Sequence, residues 1–247
     1  MRELILATLT SGKSLEWLLS PLHSLRSLDI TDAFVNWQPG EIMVMEALKR
    51  VAPTLEWLLL DGDLQYQGPF LDLREFSKLK RLNTKMNFLV DMCEPMENDR
   101  DLASRLPTGL QQLDLHIQPR EHRNNGLAES RHRIPLVRIA SELVDLIERI
   151  VESYFMNLTS LKLVIRLYDN YELTEDGLCT EGIAYGSKSW LLIMLHHAGF
   201  DAVRAGKVLK AKDVAFHLAV HGACECGCGK LEGEQESKVI WKGLGFG

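Results

Sequence analysis

The sequence has no long apolar run. A membrane-spanning helix needs about 18 such residues, and the longest candidate, Trp190-Leu-Leu-Ile-Met-Leu195, stops at His196. No membrane partner is expected. The chain has no basic excess either: 28 Lys and Arg face 34 Asp and Glu, a formal net charge of −6. A dedicated nucleic-acid binder carries a basic surface, so no nucleic-acid partner is expected. The opening Met1-Arg-Glu-Leu-Ile-Leu-Ala7 has no secretory pattern, because its apolar stretch is short and Glu3 interrupts it. Cysteines are few and odd in number, and Cys224, Cys226 and Cys228 sit too close for a regular disulfide framework. An intracellular, reducing location follows as the expectation. No Ser/His/Asp set or carboxylate pair stands out, so no catalytic residue, no cofactor and no enzyme activity is assigned.

What is present is a repeated spacing. Leu25-Arg-Ser-Leu28-Asp-Ile30, Leu55-Glu-Trp-Leu58-Leu-Leu60, Leu79-Lys-Arg-Leu82-Asn-Thr84, Leu110-Gln-Gln-Leu113-Asp-Leu115 and Leu158-Thr-Ser-Leu161-Lys-Leu163 all read L-x-x-L-x-L, with Ile30 and Thr84 as substitutions. Leu4-Ile-Leu6 supplies the end of the same pattern. This is the strand signature of a leucine-rich repeat. The expected fold is α/β: a leucine-rich repeat solenoid with a curved parallel sheet, helices on the convex side and an irregular C-terminal cap. Residues 1–166 form the array in this reading. Residues 167–247 form a cap or a partly ordered tail.

The intervals between successive motifs are 30, 24, 31 and 48 residues. Regular repeats run about 20–29, so several units carry insertions. Segments 91–105 and 119–133 read as solvated loops. Helical periodicity appears in Glu41–Val51, where Ile42, Met45 and Leu48 share a face. It appears again from about Leu136 to Tyr154, with Ile139, Leu143, Ile147 and Ile150 in the apolar stripe and Glu142, Asp145, Glu148 and Glu152 expected in water. Helices are also expected at Ser187–His197 and Asp201–Lys210, and strands at Val214–Val220 and Lys238–Trp241.

Two clusters compete for chemistry. The run ending Gly12-Lys13-Ser14 has the close of a phosphate loop, but the position of its first glycine holds Ala7. A polar turn that starts a helix is the simpler reading. His217, His221, Cys224, Cys226 and Cys228 gather soft ligands. Zinc uses such groups, yet the spacing lacks a second distant pair, so no metal site is assigned. A metal-binding or enzymatic protein centred on this cluster remains the alternative. A further alternative is a truncated repeat protein without a dedicated partner.

Because a strand alternates its faces, the residues between the leucines should line the concave surface. Asp29, Trp57, Leu59, Asp61, Arg81, Asn83, Lys85, Asp114, His116 and Lys162 are the candidate partner-binding residues. They mix both charges with one apolar spot. That composition fits a protein partner.

The phrase Ser14-Leu-Glu-Trp-Leu-Leu-Ser-Pro-Leu-His-Ser-Leu-Arg-Ser-Leu-Asp-Ile30 and its echo Pro53-Thr-Leu-Glu-Trp-Leu-Leu-Leu60 resemble the irregular repeats of fungal F-box-like proteins. The resemblance covers roughly residues 1–166. In that family an F-box recruits a ubiquitin-ligase scaffold and the repeats bind the protein to be modified. The resemblance therefore implies substrate recognition in a ubiquitin-ligase adaptor. The sequence opens directly on the strand fragment at Leu4, without an F-box before it.

Overall fold

In the computed structural model, the described residues are 1–7, 12–31, 44–61, 71–90, 101–117, 133–168 and 195–223. They build an α/β fold around one seven-stranded sheet in which every pair is parallel and strands follow in chain order. The strands are β1 (Glu3–Leu6), β2 (Ser27–Ile30), β3 (Trp57–Leu60), β4 (Arg81–Lys85), β5 (Gln112–Ile117), β6 (Ser160–Tyr168) and β7 (Ala215–Ala223). The helices are α1 (Gly12–Leu19), α2 (Val44–Lys49), α3 (Arg133–Val151) and α4 (Ala202–Lys210). One strand per unit, stacked in sequence order, is a solenoid-like arrangement.

Each L-x-x-L-x-L stretch supplies β2 to β6, and the fragment at Leu4 supplies β1. The reason is visible in the register. Leu4, Leu28, Leu58, Leu82, Leu113, Leu161 and Phe216 stand side by side in one row. Leu6, Ile30, Leu60, Thr84, Leu115, Leu163 and Leu218 form the next. The inner members of both rows are at most 2% exposed. The first leucine of each motif is buried as well, at Leu25, Leu55, Leu79, Leu110 and Leu158. All three repeated leucines thus enter one continuous core, which is why a one-residue slip of any strand is disfavoured.

The turn before each strand is also repeated. The carbonyl of Arg2 accepts from the amides of Arg26 and Ser27. The carbonyls of Arg26, Glu56, Lys80 and Gln111 accept in the same way from the two residues that open the next strand. Backbone groups that would otherwise be orphaned at the strand starts are therefore satisfied by the neighbouring unit.

α3 follows its apolar stripe. Ile139, Ala140, Leu143, Leu146, Ile147 and Ile150 are buried, a spacing that keeps one helical face on the core. Glu142 does not face water as its charge led us to expect: it is only 4% exposed. Its carboxylate accepts the Leu102 amide at 2.6 Å and pairs with Arg138 at 2.8 Å. This contact also corrects part of the expected 91–105 loop. Residues 101–106 are packed around the 3-10 turn Ala103–Arg105, with Leu102, Ala103 and Leu106 buried, and are held further by Arg149 on Asp101 at 3.0 Å. Residues 91–100 and 118–132 lie outside the described residues, as do Ile42 and the strand expected at 238–241.

The region beyond Leu163 adds to the same sheet. α4 starts at Asp201, whose carboxylate accepts the amides of Val203 and Arg204, both at 2.9 Å, a standard helix N-cap. Before it, residues 195–197 are helical, and Gly199 at φ 104° lets the Phe200 amide reach back to the Leu195 carbonyl at 2.8 Å. β7 then pairs with β6 from Ala215 to Ala223. No described helix is long and apolar enough to cross a membrane.

Candidate protein-binding face

The face of the sheet away from the core presents three rows. The first contains Glu3, Ser27, Trp57, Arg81, Gln112, Ser160 and Ala215. The second contains Ile5, Asp29, Leu59, Asn83, Asp114, Lys162 and His217. The third includes Lys85, His116 and Val164, with Thr31 and Asp61 just past the ends of β2 and β3. Strands lie about 4.8 Å apart, so each row sets its side chains within reach of both neighbours. The candidate residues Asp29, Trp57, Leu59, Arg81, Asn83, Asp114 and Lys162 are therefore brought onto one face by the register alone.

Their exposure is graded. Arg81 and Lys162 are exposed, whereas Asp29, Trp57, Leu59, Asp61, Asn83, Asp114 and His116 are half-buried. Lys85 departs from the expectation. It is 5% exposed and pairs with Asp61 at 3.2 Å. The strict alternation that would have put it in solvent ends here, because the chain turns at once into the 3-10 helix Met86–Phe88. Lys85 is a buried member of an ion pair at the end of the strand.

Electrostatics divide the face. Burial pushes the Asp114 carboxyl above the usual range, and Lys162 and His217 pull it back. Burial also pushes Asp29 up, and the Glu3 carboxylate adds to the rise. Ser27 Oγ and Asp29 Oδ1 are buried without a hydrogen-bond partner among the described residues. The Arg26, Glu56 and Lys80 cluster at the strand starts, with contacts of 3.4 and 3.1 Å, is largely exposed. Such pairs contribute little.

Glu3, Ile5 and His217 belong to this face but were not expected on it from the sequence, nor were Ser160, Val164 and Ala215. Glu3 and Ile5 were passed over because only the leucines around them were used, although the same alternation marks them as outward. His217 was grouped with the cysteines. It lies in β7 opposite Lys162, and Phe216-His217-Leu218 carries the same apolar-polar-apolar signal. The segment holding His217 and His221 is a strand, not a helix. Cys224, Cys226 and Cys228 fall outside the described residues. No group of three or more His, Cys, Asp or Glu suited to a metal occurs among the described residues. His196 and His197 are exposed at the end of their helical turn.

Between α3 and α4 lies a cleft of about 570 Å³ lined by Val144, Ile147, Glu148, Phe200, Arg204 and Val208 among others. Among the described residues, its carboxylates Glu148, Glu152 and Asp201 form no group suited to a metal.

Comparison with known proteins gives no match to a family model, to a curated protein or to a solved structure.

Proposed function

We propose that the chain is a leucine-rich repeat module that binds a protein partner on the open face of its sheet. One observation carries this reading. Motif after motif, in unbroken parallel register, buries its leucines and turns the variable residues between them onto one surface. A row of half-buried and exposed groups of both charges around Trp57 and Leu59 suits a protein surface, where a few aromatic anchors carry most of the affinity. The formal charge of −6 is unfavourable for a phosphate backbone. Ubiquitin-ligase substrate capture is the narrower form of the proposal. It rests on the resemblance of Ser14–Ile30 and Pro53–Leu60 to the repeats of F-box-like proteins.

Site-specific photocrosslinking tests the binding face. A photoreactive residue at Asn83 should trap a defined protein, competed by the unmodified chain. The same residue at Glu148 on α3 should not. Identical products from both positions would sink the proposal. Capture of a protein that becomes ubiquitinated only in the presence of this chain would support the narrower form.

A further inference from the structure

We propose that the β1–β3 end of the open face is a subsite for a cationic side chain, Arg or Lys, carried within an apolar stretch of the protein partner. The inference rests on the binding-face reading and names the chemistry of what binds there.

Two half-buried aspartates occupy the same row of the sheet, and their surroundings differ. Asp114 has Lys162 opposite it on β6 and His217 one strand farther on, and both draw its carboxyl back toward the charged form. Asp29 lies between Ile5 and Leu59. Its electrostatic surroundings are burial and the Glu3 carboxylate, which both oppose its charge. Unpaired buried polar atoms cost free energy and are uncommon in native folds. Here two occur together, Ser27 Oγ and Asp29 Oδ1, on adjacent outward positions of one strand. A donor that also carries positive charge answers both deficits. It offsets the Glu3–Asp29 repulsion and supplies N–H donors where Ser27 Oγ and Asp29 Oδ1 have none.

The flanking residues specify what carries that charge. Trp57 stands opposite Ser27, one strand spacing away and two residues from the partner of Asp29, and an aromatic face near a bound cation adds to its attraction. Ile5 is 62% exposed and Leu59 is half-buried. They form an apolar shelf on each side of Asp29 for the stem of a long basic side chain and for apolar neighbours in the partner. An acidic partner segment is repelled from this end and directed toward Arg81 and Lys162.

The test uses the ¹⁵N-labelled full chain and three capped pentapeptides, Ala-Leu-Arg-Leu-Ala and its analogues with Gln or Glu at the centre. Amide shifts should appear in β1, β2 and β3 with the Arg peptide. Its Kd should be about fivefold tighter than that of the Gln peptide, the scale of a partly screened charge pair. The preference should vanish in Asp29→Asn and in 0.5 M salt, with the amide spectrum of the variant confirming its fold. Equal binding of the Arg and Gln peptides, or an Arg preference that survives in Asp29→Asn, overturns the subsite. So do shifts confined to β4–β6 with the Glu peptide, although the binding-face reading then stands. Shifts on α3 and α4 with every peptide, or no shifts with any, overturn both.

Discussion

The inner strands and the edge strand β1 carry the same alternation of leucine and outward residue, but they bury it to different depths. Leu28, Leu58, Leu82, Leu113 and Leu161 are each covered by a repeat on both sides and are at most 2% exposed. Leu4 and Leu6 occupy the same two rows, have a neighbouring strand on one side only among the described residues, and are half-buried. At the other end, Phe216 is half-buried and Leu218 is 7% exposed. The motif therefore specifies direction, while the neighbouring repeats supply the burial. Stability in such a stack is a sum over units and their interfaces, so the same substitution should cost different amounts along one row.

The largest effect is expected at the centre. Leu113→Ala should destabilise by roughly 3–5 kcal/mol, since a fully enclosed site pays both the lost transfer energy and the cavity left behind. Chemical denaturation should show the midpoint falling with the slope unchanged. A shift below about 1 kcal/mol would mean that β5 does not sit between β4 and β6 as described.

The next effect lies in the polar contact that ties α3 to the 101–105 turn. Glu142→Ala leaves the buried Leu102 amide without its acceptor and should cost about 2–3 kcal/mol. Glu142→Gln keeps an acceptor and should cost less than half as much. The pair also sets a pH dependence. Burial raises the Glu142 carboxyl above its ordinary value of 4.5, with the Leu102 amide and Arg138 only partly opposing. A raised folded value means that the native state holds its proton more tightly than the unfolded chain. This contribution to stability is complete below pH 4.5 and is lost as pH rises through the raised value. In Glu142→Gln, the fall in stability over that window should be shallower than in the parent. An identical pH profile would show that Glu142 does not titrate differently on folding.

Much of this layout was legible in the sequence, and the parts that were not have identifiable causes. Three leucines at fixed spacing located β2 to β6: the second and third alternate onto the inner face of the strand, and the first is buried from the turn that precedes it. The apolar run at 214–220 located β7. Glu142 was misread because residue type overrode position: it sits three residues from Ile139 and four from Leu146, at the border of the buried stripe, where a nearby amide and guanidinium make burial tolerable. Lys85 was misread because the outward position was equated with exposure: it is the last residue of β4, in register with His116, and is buried beside Asp61 where the chain turns into the 3-10 helix. The difference between Asp29 and Asp114 was not legible, since both motifs place an aspartate at the same position. Only the order of neighbouring strands shows that one meets Lys162 and the other Leu59.

A smaller effect is expected at the edge. Leu4→Ala should cost about 1–2 kcal/mol, well below Leu113→Ala, because part of its surface is already in water and the space vacated is not enclosed on all sides. Thermal melts of the two variants, taken side by side, measure the contrast directly. Equal losses would mean that β1 is covered as fully as the centre of the sheet, and the distinction between inner and edge strands would fail.

The smallest effect is expected one residue along, where the edge and the open face meet. Ile5 follows Leu4 in β1 and points away from the core, 62% exposed. Among the described residues it has Asp29 as its one lateral neighbour. Ile5→Thr retains β-branching and thus strand preference, so it isolates the effect of removing an apolar surface that contacts little. The expected change in stability is under about 0.5 kcal/mol. Leu115→Thr, in a buried row, should cost several times more. If Ile5→Thr instead matched Leu4→Ala, Ile5 would be packed against something, and this end of the face would be closed. If it left stability unchanged but weakened the Arg peptide, the shelf beside Asp29 would be shown to act in recognition and not in folding.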